Sequence, residues 1–258
     1  MSTHQGFGAA VSDVTTMVDR SVRLSRRNVD TLFVAILLPL MMMALFVYVF
    51  GGAIDTGTQY INYVVPGILL LTTGYGAAST AMAVADDMTT GMIDRLRSLP
   101  IRSFALLTGH VTASVVRNAV STGLVILASL AMGFRPNAGV VDWLAAIGLL
   151  LLYVIALSWL AAALGVIAKS VESASALGFF MLFVPYLSSA FVRTETMPAF
   201  LRPISKHQPI TPVIEAVRSF LTGTPLSSNG RLALAWCGGL LLFSTTLATV
   251  LYRRRTTR

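Results

Sequence analysis

Residues 143–168 read WLAAIGLLLLYVIALSWLAAALGVIA, with no aspartate, glutamate, lysine or arginine among them. A membrane-spanning helix needs about 20 consecutive, mainly apolar residues, and this run is long enough to cross the hydrocarbon core of a bilayer. The run is continuous and does not alternate between apolar and polar residues, which favours a helix over a strand of a barrel. This stretch predicts an integral membrane protein built from helices.

Five further apolar runs of similar length lie on either side of this one. They cover residues 31–50, 62–85, 111–134, 174–192 and 232–252. The sequence therefore predicts an all-α integral membrane protein with six transmembrane helices in residues 31–252. Residues 1–30 precede this domain, and a basic tail, residues 253–258, follows it.

The composition excludes several other classes of protein. The chain has 258 residues, of which 55% are hydrophobic and 12% charged, whereas a soluble domain carries about 25% charged residues. This excludes a soluble enzyme, a disordered tail and a disulfide scaffold. The single cysteine, Cys237, cannot form an internal disulfide or a cysteine-based metal cluster. The net charge is +8, but the arginines form no continuous basic face, so no nucleic-acid partner is expected.

The distribution of positive charge predicts the orientation in the membrane. Arginines cluster before the first span and after the last one, at Arg20, Arg23, Arg26, Arg27, Arg253, Arg254, Arg255 and Arg258. The loop at 51–61 has no lysine or arginine. Because loops rich in lysine and arginine stay in the cytoplasm, both termini are predicted to be cytoplasmic.

The N-terminal segment 1–30 contains a predicted amphipathic helix at residues 12–28. Val14, Val18 and Val22 recur at a spacing of four residues and so share one face, while Arg20 and Arg23 project elsewhere. A basic amphipathic helix before a span is expected to lie in the inner membrane interface. Two interpretations stay open: a generic anchor, or a lever that joins a cytosolic partner to the first span.

Residues 86–100 form the inner loop between the second and third runs and read DDMTTGMIDRLRSLP. A short cytoplasmic helix is predicted there, with one apolar face made by Met88, Met92, Leu96 and Leu99. Pro100 would end this helix. Such a face suits a groove on another protein, and the alternative is a helix folded onto the inner membrane surface.

The outer segment 193–230 is predicted to be helical but interrupted. It contains five prolines and so cannot form one long helix. A capped helix is predicted to begin at Thr211 and Pro212 and to end before Gly223. We expect it to dip into the outer mouth of the bundle or to cover it, and the alternative is a plain surface helix.

Motifs for enzymatic chemistry are absent from the sequence. There is no HExxH pair, no GxSxG elbow and no P-loop, so neither catalytic residues nor a cofactor are expected in this chain. The histidines His4, His110 and His207 are expected to be solvated or interfacial. No cluster of metal ligands is predicted.

Charge inside the spans is also scarce. Each aspartate and glutamate lies outside the runs or at their edges, whereas ion-driven carriers usually bury an acid near the middle of the membrane. Arg117 is the one charged residue inside an apolar run and lies about two turns from the inner end of the third run. Its side chain is expected to reach the lipid headgroups or to pair with a neighbour. If the protein moves a solute uphill, its energy is expected to come from another subunit.

Aromatic residues on the fifth run suggest an apolar path. Phe179, Phe183 and Tyr186 offer a wall without charge, which suits a hydrophobic or amphipathic cargo, although such rings also occur facing lipid or packing between helices. Two other function classes stay open: an ion-coupled secondary carrier or channel, and a structural membrane subunit that transports nothing.

Several stretches together resemble the membrane subunit of ABC-2 type transporters, specifically the daunorubicin-resistance kind of bacterial permease. The most specific stretch is residues 87–101, DMTTGMIDRLRSLPI, followed by Gly109. Supporting stretches are YVVPG at 63–67, GFRP at 133–136, and the residues around Met197–Pro198, Pro209–Pro212 and Ala216–Arg218. The resemblance covers nearly the whole chain.

This resemblance implies an exporter of drugs, lipids or glycoconjugates in the bacterial plasma membrane. Two permease subunits, identical or different, would work with two ATP-binding subunits, which would hold ATP and magnesium. The outer segment would be a partly re-entrant hairpin, and residues 86–100 would be the coupling helix that contacts the ATP-binding subunit. The coupling residues would be Asp87, Gly91, Arg95, Leu96, Leu99 and Pro100. The substrate path would include Tyr63, Pro66, Gly67, Phe179, Phe183 and Tyr186.

One residue departs from the pattern of that family. Family members often have a glutamate near the start of the coupling motif, where this chain has Asp87. The shorter side chain keeps the carboxylate, so the same role is expected of it.

Overall fold

The computed structural model describes residues 15–16, 18–19, 29–90, 103–226 and 228–256. In these ranges the regular structure is entirely helical, which confirms the predicted all-α class. The helices are α1 Val29–Ala44, α2 Tyr60–Thr89, α3 Ser103–Ala131, α4 Val140–Ile167, α5 Val171–Phe183, α6 Leu201–His207, α7 Ile210–Thr222 and α8 Asn229–Thr256.

Five helices are long and apolar enough to cross a membrane. They are α1 with its continuation to Phe50, α2, α3, α4 and α8. The continuation of α1, Leu45–Phe50, is a π-helical turn. In the described ranges the protein is thus all-helical, with several helices of the length and composition of membrane spans.

The fifth predicted span is shorter than the sequence suggested. Helix α5 ends at Phe183 and continues only as a 3₁₀ turn, Val184–Leu187, so the predicted end at residue 192 is wrong. Pro185 explains the change, because proline has no N–H to donate and its ring disfavours a continuing α-helix. The whole stretch of 17 residues lies at the lower limit for a span. The count of six spans therefore stays a prediction.

Helix α2 forms the centre of the bundle. It is buried along most of its length and packs against α3, α4 and α5, while α8 packs mainly against α4. Large apolar side chains are exposed on α1 and α8, such as Phe33, Tyr48, Leu242 and Phe243. An exposed apolar belt on the outermost helices fits contact with lipid chains or with another membrane subunit.

The long helices alternate in direction and so give the bundle two ends. One end holds the last turns of α2, α4 and α8 and the first turns of α3. We call it the inner end, after the predicted cytoplasmic side, and we call the opposite end the outer end. There Nη1 of Arg255 donates to the carbonyl oxygens of Val166 and Ala168, which joins α8 to the end of α4. Helix α8 continues past residue 252, so most of the predicted basic tail is its last turn. Arginines there interact favourably with the helix dipole.

The outer segment contains a short 3₁₀ turn, Thr194–Thr196, and the helices α6 and α7. Gly223 ends α7 as predicted, since it adopts φ +68°, a left-handed conformation that favours glycine. The helix begins at Ile210 with no side-chain cap, so the predicted cap at Thr211 is wrong.

Helix α7 is not a plain surface helix. Its apolar face is buried against α2, α4 and α8, with Val213, Ile214, Val217 and Leu221 almost inaccessible to solvent. The alternative of a surface helix is therefore wrong, and α7 covers the outer end of the bundle. A re-entrant path for this segment stays a prediction.

Only part of the predicted N-terminal helix is described. Residues 15–16 and 18–19 are helical, and the remainder of residues 12–28 lies outside the described ranges. Its position relative to the membrane stays a prediction.

Candidate functional site

Asp87 is the one predicted coupling residue that the structure describes. It lies in the last turn of α2 and is buried, with its Oδ2 atom 2.9 Å from Nε2 of His110 on α3. The other five coupling residues, Gly91, Arg95, Leu96, Leu99 and Pro100, lie outside the described residues.

The contact between Asp87 and His110 bridges the two helices that flank the predicted coupling loop. A carboxylate in the last turn of α2 is disfavoured by the helix dipole, so a hydrogen-bonded histidine offsets that cost. His110 was expected to be solvated or interfacial, and this prediction is wrong because the side chain is buried between α2 and α3. The two residues are 23 positions apart, a separation that carries no periodic signal in the sequence.

Arg117 lies in the middle of α3 and hydrogen-bonds to α2. Its Nη2 atom donates to the carbonyl oxygen of Gly76 at 3.0 Å and to Oγ1 of Thr80 at 2.9 Å. The predicted pairing with a neighbour is confirmed, whereas contact of Arg117 with the headgroups stays a prediction. Helix α3 begins at Ser103, well before the apolar run, so Arg117 lies fourteen residues from either end of the helix. That distance is about 21 Å along the helix axis.

Further polar side chains lie at the level of Arg117. Asn118 donates from Nδ2 to the carbonyl oxygen of Ser114 at 3.0 Å, and the hydroxyls of Ser114 and Ser158 are 2.9 Å apart. The bond between Ser114 and Ser158 connects α3 with α4. A Cβ atom at position 76 of α2 would lie 2.1 Å from Oδ1 of Asn118, so a larger residue than Gly76 would force the Asn118 side chain to move. The polar layer thus joins α2, α3 and α4 halfway through the bundle.

An apolar cavity of about 350 Å³ lies between α1, α2 and α5. It is lined by Val34, Ala35, Tyr75, Ala78, Ser79, Met82, Ser175, Phe179 and Leu182. Pockets for small organic ligands have volumes of roughly 300–1,000 Å³ and mostly apolar walls with a few polar groups. Here the polar groups are three hydroxyls and no charge, so the cavity suits an apolar or amphipathic molecule.

Of the six predicted path residues, Phe179 alone lines this cavity. Phe183 and Tyr186 continue outward from it as a series of ring contacts. Phe179 and Phe183 have centroids 4.9 Å apart, Phe183 and Tyr186 6.1 Å, and Tyr186 stacks on Phe191 at 5.3 Å. Phe191 then stacks on Phe46 of α1 at 4.3 Å. The aromatic series connects the cavity to the outer end of the bundle.

Tyr63, Pro66 and Gly67 lie on the buried outer half of α2, away from the cavity. Gly67 faces the segment after α5, where a Cβ atom would lie 2.7 Å from Cα of Ala190. The hydroxyl of Tyr63 donates to the carbonyl oxygen of Ser189 at 3.0 Å, and that of Tyr60 to Phe191 at 2.8 Å. These contacts fix residues 188–191 across the outer end of α2.

Arg218 of α7 completes this arrangement, and sequence reasoning gave it no role. The side chain is only 9% exposed. Its Nε atom donates to the carbonyl oxygen of Tyr63 at 3.1 Å, and its Nη2 atom donates to the carbonyl oxygen of Ser189 at 2.8 Å. Its Nη1 is 2.6 Å from Oε1 of Glu215, and its guanidinium carbon lies 3.8 Å from the centre of the Tyr63 ring. We call Tyr60, Tyr63, Glu215 and Arg218 the outer polar cluster. The signal that was available was an arginine on an otherwise apolar helix face.

A second, polar cavity of about 440 Å³ opens beside the outer polar cluster. Its lining consists of Tyr63, Arg193, Thr194, Glu195, Lys206, Thr211, Glu215 and Asn229. A backbone hydrogen bond holds the pKa of the exposed Glu195 carboxyl below its ordinary value, helped by Thr194, Lys206 and Arg193. The carboxylate is therefore ionised at neutral pH, and Lys206 lies 3.8 Å from it.

A search of the described residues for three or more histidine, cysteine, aspartate or glutamate side chains that could hold a metal ion finds no such group.

Comparisons with known proteins agree on one family. Residues 12–222 match the family described as ABC-2 type transporter. The chain is 29% identical over 248 residues to the daunorubicin resistance ABC transporter permease protein DrrB1 of Streptomyces coeruleorubidus, covering 95% of this chain and 88% of that protein.

Two further relatives are similar over most of their length. The chain is 24% identical over 255 residues to the probable doxorubicin resistance ABC transporter permease protein DrrC of Mycobacterium tuberculosis, covering 96% of this chain and 90% of that protein. It is 24% identical over 248 residues to the putative transport permease ycf38 of Porphyra purpurea, covering 90% of this chain and 84% of that protein.

Proposed function

Since this chain belongs to the ABC-2 type transporter family, we propose that it is the permease subunit through which an ATP-driven exporter moves an apolar or amphipathic molecule across the bacterial plasma membrane. Members of this family are transport components that work with an ATP-binding subunit. The observation that carries the proposal is the ligand-sized apolar cavity between α1, α2 and α5.

The charges of the bundle support an external source of energy. In the described part of the long helices, aspartate and glutamate occur only in a first or last turn, as Asp87, Asp142 and Glu172 do. A carrier driven by protons or sodium usually has a carboxylate at the level of the cavity. ATP and magnesium would be bound by the partner subunit, and two permeases would combine with two such partners.

The cargo is proposed to be a drug-like amphipath. Two relatives are named for resistance to daunorubicin and doxorubicin. A cavity with apolar walls and a few hydroxyls suits such a molecule, and lipids or glycoconjugates are the alternatives. The aromatic series from Phe179 to Phe46 would then lead outward, and the polar cavity near Glu195 would receive the polar part of the cargo.

The coupling helix, residues 86–100, is proposed to contact the ATP-binding subunit from the cytoplasm, where both termini also lie. The pair Asp87–His110 supports this, because it holds α2 and α3 together at the point where each meets the loop. A displacement of the loop by the ATP-binding subunit would therefore move α2 and α3 together.

A pair of matched variants tests the coupling role. Leu96→Asp places a charge on the predicted apolar face, and Ser98→Asp places the same charge off that face. Leu96→Asp is expected to lose copurification with the ATP-binding subunit and cargo-stimulated ATP hydrolysis, because burying an unpaired carboxylate is costly. Ser98→Asp is expected to retain both. Equal behaviour of the two variants, with normal membrane insertion, would contradict the proposal.

A further inference from the structure

The polar layer in the middle of the bundle contains Arg117, which has no part in the proposed function. Placing a guanidinium in the middle of a membrane span costs free energy, and charged residues within spans commonly mark functional positions. Arg117 meets part of that cost by donating to two acceptors on α2, the carbonyl oxygen of Gly76 and Oγ1 of Thr80. These two contacts are both made with α2.

The acceptor on α2 is shared with a residue that lines the cavity. The carbonyl oxygen of Gly76 also accepts a hydrogen bond from Ser79 Oγ at 2.8 Å and lies 3.2 Å from Oγ1 of Thr80. Ser79 lines the apolar cavity. One carbonyl group thus connects Arg117 of α3 with the wall of the cavity.

Helix α2 presents two different faces at this level. Gly76 and Thr80 face α3, whereas Tyr75, Ala78, Ser79 and Met82 line the cavity. Because Gly76 contacts Asn118 with no room for a side chain, α2 lies close against α3 at this level. A rotation of α2 that broke its bonds to Arg117 would move the cavity wall.

We propose that Arg117 is a positioning residue for transport, which fixes the rotation of α2 against α3 and so sets the shape of the cavity and its preference among cargo molecules. The inference rests on the proposed function. It assigns to Arg117 an effect on cargo affinity through α2, without direct contact between Arg117 and the cargo.

Thr80→Val tests this inference with Thr72→Val as the matched control. Thr80 accepts the hydrogen bond from Arg117, whereas the hydroxyl of the equally buried Thr72 bonds to the carbonyl oxygen of Ile68 in its own helix. The readout is ATP hydrolysis by the permease reconstituted with its ATP-binding subunit, titrated with daunorubicin and with the smaller ethidium cation. Arg117→Lys and Arg117→Met complete the set.

Thr80→Val is expected to shift the half-maximal daunorubicin concentration about 3- to 10-fold, the range for one hydrogen bond between membrane helices. The ratio between the two probes should change, and the rate without cargo should not. Arg117→Met should give a larger shift and Arg117→Lys a smaller one. Identical half-maximal concentrations in Thr80→Val and Thr72→Val, or an Arg117→Met variant that changes only the maximal rate, would overturn the inference.

A second measurement needs neither cargo nor partner. Met82→Cys, in a chain that also carries Cys237→Ala, places a single thiol in the cavity wall. Its rate of reaction with a membrane-permeant maleimide should change when Thr80→Val is added and stay the same when Thr72→Val is added. Equal rates in all three chains would overturn the inference, whatever the reconstituted complex does. A complex in which the unmodified permease gives no cargo-stimulated hydrolysis would instead contradict the proposed function.

Discussion

Arg218 shows how much of the outer end depends on one side chain. It donates to the carbonyl oxygens of Tyr63 and Ser189 and pairs with Glu215. Arg218→Met would remove one donor from each of the carbonyl oxygens of Tyr63 and Ser189 and would break the ion pair with Glu215, while Ser189 would keep its bond from the Tyr63 hydroxyl. The expected loss is about 2–5 kcal/mol in the free energy of unfolding.

Thermal unfolding of the purified protein checks this prediction. Arg202→Met is the control, since Arg202 is exposed and bonds only to the carbonyl oxygen of Met197 in the described contacts. The midpoint should fall clearly for Arg218→Met and hardly at all for Arg202→Met. Similar midpoints would show that the outer polar cluster does not stabilise the fold.

The pair Asp87–His110 is expected to act as a unit. Removing one partner of a buried pair costs about 3–5 kcal/mol, because the group that remains loses a hydrogen bond in a position that water hardly reaches. Asp87→Asn and His110→Leu should each lower stability, and the double variant should lose less than the two single losses combined. A double-mutant cycle on thermal unfolding measures this, and additive losses would contradict a direct interaction.

Residue-level reasoning from sequence succeeded where a residue acts on its own neighbours in the chain. Gly223 was identified as the end of α7 because its left-handed conformation is a local requirement. The burial of His110 was misjudged, Arg218 was missed, and the partners of Arg117 were not identified. Their partners come from other helices, and no local pattern encodes which face of a helix meets which neighbour.

At the scale of elements, glycines on α2 set how closely its neighbours approach. Gly67→Ala is expected to destabilise the protein, because the added Cβ would overlap the backbone of Ala190. Gly238→Ala on α8 has open space around it, and replacing a helical glycine by alanine should stabilise by roughly 0.5–1 kcal/mol. Opposite shifts in thermal unfolding are predicted, and a stabilising effect of Gly67→Ala would contradict the described packing.

The sequence predicted most helices but not their ends. Apolar runs located α1 to α4 and α8, because a bilayer requires a minimum apolar length. Helices α3 and α8 begin before their runs, since polar residues at a membrane surface are compatible with helix and give no apolar signal. The helix of the fifth run ends earlier than predicted, next to Pro185. Proline disfavours a continuing α-helix even though the residues beyond it are apolar.

For the whole molecule, the described contacts place polar groups at three levels around an apolar cavity. Asp87 and His110 lie at the inner end, Arg117 and Asn118 lie halfway, and Arg218 lies at the outer end. Each set joins α2 to a neighbour. Helix α2 is thus joined to a neighbouring helix at its inner end, halfway along and at its outer end.

The central claim is that a separate ATP-binding subunit drives this permease. The most direct test measures the uptake of daunorubicin into inside-out proteoliposomes under two conditions. In the first, the purified chain is present alone under an imposed proton or sodium gradient. In the second, the chain is present with its ATP-binding subunit and ATP. We expect uptake only when the partner and ATP are present, and we expect it to depend on ATP hydrolysis. Uptake by the chain alone under an ion gradient, or none with the partner and ATP, would contradict it.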